Sequence, residues 1–165
     1  MKNEAFQDHY PEEISHCYGC GTNNPEGHQL KSYWQHLDEK NLNASSTVAR
    51  CIPDKKYTAI PGFVYGGMIA SLIDCHGTGS ASAMAYLSQG RELGSLPSMR
   101  FVTGALNVNF LAPTPQGVEL TLVGQFSEVK DRKIIVDITL SAGDVVCAKG
   151  QVIAVLMPDS MIPKA

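Results

Sequence analysis

The pattern of apolar and polar positions divides the chain into one long helical segment and several shorter segments with the period of a strand. Between Gly66 and Gly90 the apolar residues recur at steps of three and four, as they do along one face of a helix. This apolar stripe consists of Ile69, Leu72, Ile73, Ala83, Met84 and Leu87. We therefore predict a helix from Gly66 to Ser88, about 34 Å long.

Alternation of apolar and polar residues predicts strands on both sides of this helix, because successive side chains of a strand point to opposite faces of a sheet. Two strands precede the helix, at 30–37 and 42–50, and the polar turn 38–41 joins them in a hairpin. Four strands follow it, at 102–110, 118–126, 134–140 and 146–156. One helix cannot supply the crossovers of a parallel sheet, so we predict an α+β domain in which a curved antiparallel sheet wraps one long central helix.

Length and composition describe one soluble globular domain. The chain has 165 residues, of which 44% are hydrophobic and 18% are charged, and its net charge is −3. These values exclude a disordered chain, argue against a nucleic-acid partner and leave no segment suited to a membrane. We divide the chain into a polar N-terminal lead, residues 1–15, in which Pro11 opens a short helix, and a domain formed by residues 16–165. A curved sheet around one helix has uncovered edges, so we expect a homodimer or a homotetramer.

The cysteines indicate a reducing compartment. Their number, five, is odd, and the N-terminus has no apolar run typical of a signal peptide, so we predict a cytoplasmic protein. Cys17 and Cys20 form a Cys-x-x-Cys pair, which occurs in zinc and redox sites. The sequence has no second pair of this kind, so we expect no metal here and instead a glycine-rich loop from Gly19 to Gly27.

Two segments resemble motifs of a known enzyme family. Residues 17–27 are similar to the motif CxGCGxxNPxG, and residues 61–74 are similar to the motif PGxVHGGxxxxLxD. Both motifs are typical of acyl-CoA thioesterases of the hotdog superfamily, in the PaaI-like branch. With residues 107–115 the resemblance extends from Cys17 to Met157. It implies the hotdog fold, the hydrolysis of an acyl-CoA substrate, and no metal or redox cofactor.

The catalytic residues are expected along the predicted helix and on the strand after it. Gly66 and Gly67 open the helix, and the free backbone N–H groups of a helix start suit an oxyanion. Asp74 lies in an apolar stretch, where a carboxylate is costly unless it has a partner or a function. The resemblance makes the Gly66 N–H the oxyanion donor, with Gly67 as its close-packed neighbour, and makes Asp74 the nucleophile or the general base. Thr78, one turn after Asp74, and Thr103 are candidates for holding the attacking water. The alternative for Asp74 is a structural ion pair at a subunit contact.

Substrate contacts are expected from the helix and from one hairpin. An acyl pocket between the helix and a neighbouring subunit would be lined by Ile69, Ala70, Ile73 and Met84. The resemblance implies that Arg132 and Lys133 contact CoA phosphates, as basic residues in that region do in similar enzymes, and a solvated hairpin tip is the alternative.

Two positions depart from the family's motifs. Tyr65 stands where the family has a histidine, and Ala59 stands where some members have an amide side chain. Tyr65 is a candidate for contact with the substrate, although a phenol is a poor base at neutral pH and packing is the expected role. His76 points about 200° around the helix from Asp74, so we expect a core or interface histidine. These departures keep open a second hypothesis, a non-catalytic hotdog protein that binds acyl-CoA or another metabolite.

Overall fold

The computed structural model describes residues 4–164, which form one α-helix, one sheet and several short 3-10 helices. The helix, α1, is Gly66–Ser88, and the strands are β1 Ser32–His36, β2 Ser46–Cys51, β3 Phe101–Phe110, β4 Leu120–Lys130, β5 Lys133–Ala142 and β6 Val145–Leu156. Neighbouring strands are antiparallel, and their order in the sheet is β1-β2-β4-β5-β6-β3. The predicted hotdog fold, one long helix with an antiparallel sheet around it, is confirmed.

The first hairpin differs most from its prediction. β1 and β2 pair as expected, but both strands are shorter than predicted, and a 3-10 helix at Leu42–Ala44 lies between them. Asp38 lies in this connection, and its carboxylate accepts hydrogen bonds from the N–H groups of Lys40 and Asn41. A side chain that bonds its own backbone in this way competes with strand pairing, which explains the longer connection.

The helix packs closely on the sheet because glycines face it. A Cβ added to Gly77 would lie 2.5 Å from a methyl group of Val152 on β6, and a Cβ added to Gly150 would lie 2.5 Å from Ile73. Both distances are far shorter than van der Waals contact. The core between the two layers includes these fully buried side chains: Leu72, Ile73, Met84, Phe101, Leu120, Leu122, Ile134, Ile138 and Leu140.

The described part of the N-terminal lead packs on this core. Phe6 is buried, and its ring lies edge-on to Trp34 of β1 with 5.3 Å between the ring centroids. Pro11 precedes a 3-10 helix, Glu12–Ile14, which confirms the predicted short helix at this proline. Within residues 4–164, no helix combines the length and the hydrophobicity that crossing a membrane would require.

β3 forms an open edge of the sheet. Within the described chain it pairs only with β6, and its residues 103–107 are exposed. Leu106 and Phe110 are large apolar side chains that face solvent on this strand. Long exposed edge strands are commonly covered by another chain, because their free N–H and C=O groups pair readily.

Candidate active site

The start of α1 presents free backbone N–H groups next to a cavity. Tyr65 is the N-cap residue, in extended conformation, and its side chain makes no capping hydrogen bond. Among the described residues, no backbone carbonyl outside the helix accepts a hydrogen bond from the N–H of Gly66 or Gly67. These two groups are therefore donors at the positive end of the helix dipole.

The two glycines differ in how much room a side chain would have at each position. A Cβ on Gly67 would lie 2.3 Å from the ring of Tyr65, so Gly67 allows that ring to fold over the helix start. A Cβ on Gly66 would lie 3.2 Å from Cζ of Phe110, at the end of β3. The Tyr65 ring also stacks on Tyr57, with 6.4 Å between centroids, and remains 41% exposed.

A cavity of about 450 Å³ opens beside Gly66 and is lined mainly by apolar side chains. Ile69 lines it, as predicted for an acyl pocket, together with Phe63, Val64, Phe110, Leu111, Ala112, Pro113 and Thr114. Ile73, by contrast, is wholly buried against Gly150 in the core and lies outside this lining. Phe63 and Phe110 were not among the predicted site residues, because their signal in the sequence is only an aromatic residue in a turn or at the end of a strand.

Asp74 and Thr103 are in direct contact. The Thr103 hydroxyl donates a hydrogen bond to Oδ1 of the half-buried Asp74 carboxylate. Burial raises the pKa of Asp74 above its ordinary value, whereas the Thr103 hydrogen bond and the charge of Arg100 act in the opposite direction. The structure thus brings together two of the five predicted catalytic residues and fixes the orientation of the carboxylate.

Thr78 lies one turn from Asp74 but bonds its backbone. Its buried hydroxyl donates to the Asp74 carbonyl oxygen at 3.1 Å. This is the usual local hydrogen bond of a threonine inside a helix. Of the two candidate threonines, only Thr103 therefore contacts the carboxylate in this structure.

His76 belongs to a buried polar network on the other side of the helix. Its Nδ1 is 2.9 Å from the Ser32 hydroxyl, and its Nε2 is 3.3 Å from the Thr47 hydroxyl. Burial lowers the pKa of His76 to about 4, so the neutral imidazole is the stable form. The expectation of a core histidine that does not pair with Asp74 agrees with these contacts.

Arg132 and Lys133 lie at the tip of the β4–β5 hairpin. Lys133 Nζ is 2.7 Å from Glu128, and hydrogen bonds from Lys130 and Lys133 lower the pKa of that glutamate. Arg132 is exposed. Lys133 faces Val155 on β6, which faces Val102 on β3, so the tip lies at the same end of the sheet as Thr103.

Comparison with known proteins agrees with this architecture. The family model of the thioesterase superfamily matches residues 61–149. A thioesterase superfamily protein from Shewanella loihica is 50% identical, covers 90% of this chain and 100% of its own, and superposes with a TM-score of 0.65.

More distant structures share the fold. The PaaI protein of E. coli, from the phenylacetic acid degradation operon, is 16% identical, with 68% of this chain and 73% of that chain covered and a TM-score of 0.56. A Streptococcus mutans protein bound to acetyl-CoA is 18% identical, with 68% and 81% covered and a TM-score of 0.53. No curated protein sequence matches the chain significantly.

Proposed function

Because this chain belongs to the thioesterase superfamily, we propose that it hydrolyses acyl-CoA thioesters, with Asp74 as the catalytic carboxylate and the Gly66 N–H as the oxyanion donor. The observation that carries the proposal is the Asp74 carboxylate itself, the one acidic side chain of α1, which is half-buried and oriented by the Thr103 hydroxyl. A carboxylate held in this way can attack a thioester carbonyl or take a proton from an attacking water. The reaction needs no cofactor, and Thr103 is the better candidate for positioning the water, with Thr78 one turn away.

Within one chain, the two halves of the proposed site are far apart. One half-site is the Gly66 N–H, and the other is the Asp74 carboxylate. Asp74 contacts Thr103 at one end of β3, whereas Gly66 lies against Phe110 at the other end. Along the helix, Gly66 and Asp74 are separated by about 12 Å. An oxyanion donor and a nucleophile that act on the same carbonyl must each lie about 3 Å from its atoms.

A dimer would join the half-sites. If two copies paired antiparallel through their open β3 edges, the Thr103 end of one strand would lie beside the Phe110 end of the other. The Gly66 N–H of one subunit would then face the Asp74 carboxylate of its partner. We therefore propose a homodimer, alone or within a homotetramer, with the reaction taking place between subunits.

The substrate class follows from the cavity and the charge nearby. The apolar cavity beside Gly66, lined by Ile69, suits an acyl group. Arg132 and Lys133 are placed at the Thr103 end of the sheet, where they would contact CoA phosphates. Acetyl-CoA bound to the Streptococcus mutans protein supports a CoA thioester as the ligand. We propose a member of the PaaI-like branch, working in a reducing compartment such as the cytoplasm.

The second candidate, a binding protein without catalysis, rests on Tyr65. This residue occupies the family's histidine position with an exposed phenol that packs on Tyr57 and Gly67. A phenol can donate to the substrate carbonyl but is a poor base at neutral pH.

A panel of acyl-CoA substrates separates the two candidates. We expect thiol release by the wild type, loss of nearly all of it in Asp74→Asn, and unchanged release in Asp144→Asn, which removes a carboxylate in the exposed β5–β6 turn. If Asp74→Asn retained most of the rate, the proposed mechanism would be wrong. Saturable binding of acyl-CoA without thiol release would favour the binding protein.

Mixed dimers test the site between subunits. Asp74→Asn and Gly66→Pro should each be almost inactive alone, but a mixed dimer of the two would hold one complete site if the half-sites come from different chains. Random mixing should then restore about a quarter of wild-type activity. No recovery after confirmed subunit exchange would show that the site lies within one chain.

A further inference from the structure

Three thiols that are distant in the sequence meet beside the catalytic helix. Cys17 and Cys20 come from the loop after the N-terminal lead, and Cys75 comes from α1. Their sulfur atoms all lie within 4.8 Å of one another, and the Cys17 and Cys75 sulfurs are 3.8 Å apart. The expectation of no metal counted only the Cys-x-x-Cys pair, and the fold adds a third thiol.

The spacing of these sulfurs suits a tetrahedral thiolate site. With zinc–sulfur bonds of about 2.3 Å, two sulfurs of a tetrahedral zinc site are about 3.8 Å apart. The Cys17 and Cys75 sulfurs already have this separation. The other two pairs of sulfurs lie within 4.8 Å, so they need to approach by at most about 1 Å to surround a zinc ion.

The loop is shaped around the sulfurs. The backbone N–H of Gly21 donates to the Cys17 carbonyl oxygen at 2.7 Å, which holds residues 17–21 in a tight turn. A Cβ on Gly19 would lie 2.1 Å from the Cys75 sulfur, and one on Gly21 would lie 2.4 Å from the Cys17 nitrogen. Glycine at both positions thus lets the loop close tightly over the helix.

Arg100 supplies charge to the same cluster. Its Nη2 is 4.0 Å from the Cys20 sulfur, and its Nη1 is 3.2 Å from the Tyr10 hydroxyl. No carboxylate forms an ion pair with this half-buried guanidinium among residues 4–164. Three thiolates around a divalent ion carry one net negative charge, which the permanent charge of Arg100 would balance.

We propose that Cys17, Cys20 and Cys75 bind one zinc ion through their thiolates, with a water molecule as the fourth ligand. The ion ties the loop at 17–21 to the helix that carries Asp74. It takes no part in the hydrolysis, so the site does not depend on the proposed enzymatic function. Binding releases a proton from each thiol that is still protonated.

Metal content and affinity test the site directly. The protein is purified without chelator, kept reduced with a phosphine, dialysed into metal-free buffer and analysed for metal. It is then titrated with zinc in competition with a chromophoric chelator. We expect one zinc per chain in the wild type and in Cys51→Ser, whose thiol lies outside the cluster, and loss of stoichiometric binding in Cys75→Ser.

Cobalt binding by the wild type tests the site even if the Cys75→Ser variant fails to fold. Cobalt(II) added to the metal-free wild type should give the thiolate charge-transfer and tetrahedral d–d absorption bands. Arg100→Met, which removes a group next to the ligands, should weaken zinc binding by about 10- to 100-fold. Fully reduced wild type that binds no zinc in the titration, or a Cys75→Ser variant that binds it as tightly as the wild type, would overturn the proposal.

Discussion

Replacing Gly66 with proline removes the proposed oxyanion donor while leaving the helix able to form. Gly66 is the first residue of α1, the position where proline is favoured because its missing N–H has no partner in the helix. Tyr65 has φ −72° and ψ 149°, which is the conformation that a residue before proline prefers. The backbone thus accepts proline at this position, and the N–H is lost.

Gly66→Ala is the matched control. Alanine keeps the N–H, and both substitutions introduce a Cβ that lies about 3.2 Å from Cζ of Phe110. The Phe110 ring is 56% exposed, so it can move by the few tenths of an ångström that this contact requires. The added Cβ is common to both variants, so the difference between them reports on the N–H and on the ring carbon that replaces its hydrogen.

The expected loss is large in one variant only. Removing one donor from an oxyanion hole costs about 10²- to 10³-fold in kcat, or about 2.7–4 kcal/mol of transition-state stabilisation. We expect this loss for Gly66→Pro and a much smaller one for Gly66→Ala. Steady-state kinetics with the best acyl-CoA substrate of the panel measure kcat, and thermal melting and light scattering verify folding and assembly. Equal kcat for the two variants, at unchanged Tm and mass, would refute the assignment of the oxyanion donor to the Gly66 N–H.

Further predictions concern the carboxylate, the edge strand and the core. Thr103→Val should reduce kcat more than Thr78→Ala, because only the Thr103 hydroxyl bonds the Asp74 carboxylate; the reverse order would make Thr78 the positioning residue. Leu106→Asp, near the middle of β3, should shift the light-scattering mass toward the 17.8 kDa of one chain. Two carboxylates would then lie close together at the axis of the proposed dimer and repel each other. An unchanged mass would exclude pairing through β3. Gly77→Ala should lower Tm, because overpacking of about 1–3 kcal/mol exceeds the gain in helix propensity of about 1 kcal/mol. A higher Tm would show that the helix has room to move away from the sheet.

The order of elements could be read from the sequence because it depends on local periods. The steps of three and four after Gly66 identified the helix, and two-residue alternation identified the strands. The connection after Asp38, however, is longer than the predicted turn. The Asp38 carboxylate accepts hydrogen bonds from the following backbone N–H groups, and these bonds replace strand pairing. Such bonds depend on the conformation of the loop, which periodicity does not describe.

The candidate catalytic residue could also be found from the sequence. Asp74 is a carboxylate in an apolar helical stretch. Because burying a carboxylate is energetically costly, its position already predicts a partner. The identity of that partner could not be derived. Thr78 and Thr103 were equal candidates, and only the packing of β3 against α1 placed the Thr103 hydroxyl on the carboxylate.

Contacts between distant segments were decided by the tertiary structure alone. Ile69 and Ile73 lie on one apolar stripe, yet Ile69 lines the cavity and Ile73 fills the space above Gly150. In the same way, nothing in the sequence pattern predicted that Cys75 would lie beside Cys17 and Cys20. Sequence patterns fix which face of an element a residue occupies, whereas the register and distance between packed elements fix what that face touches.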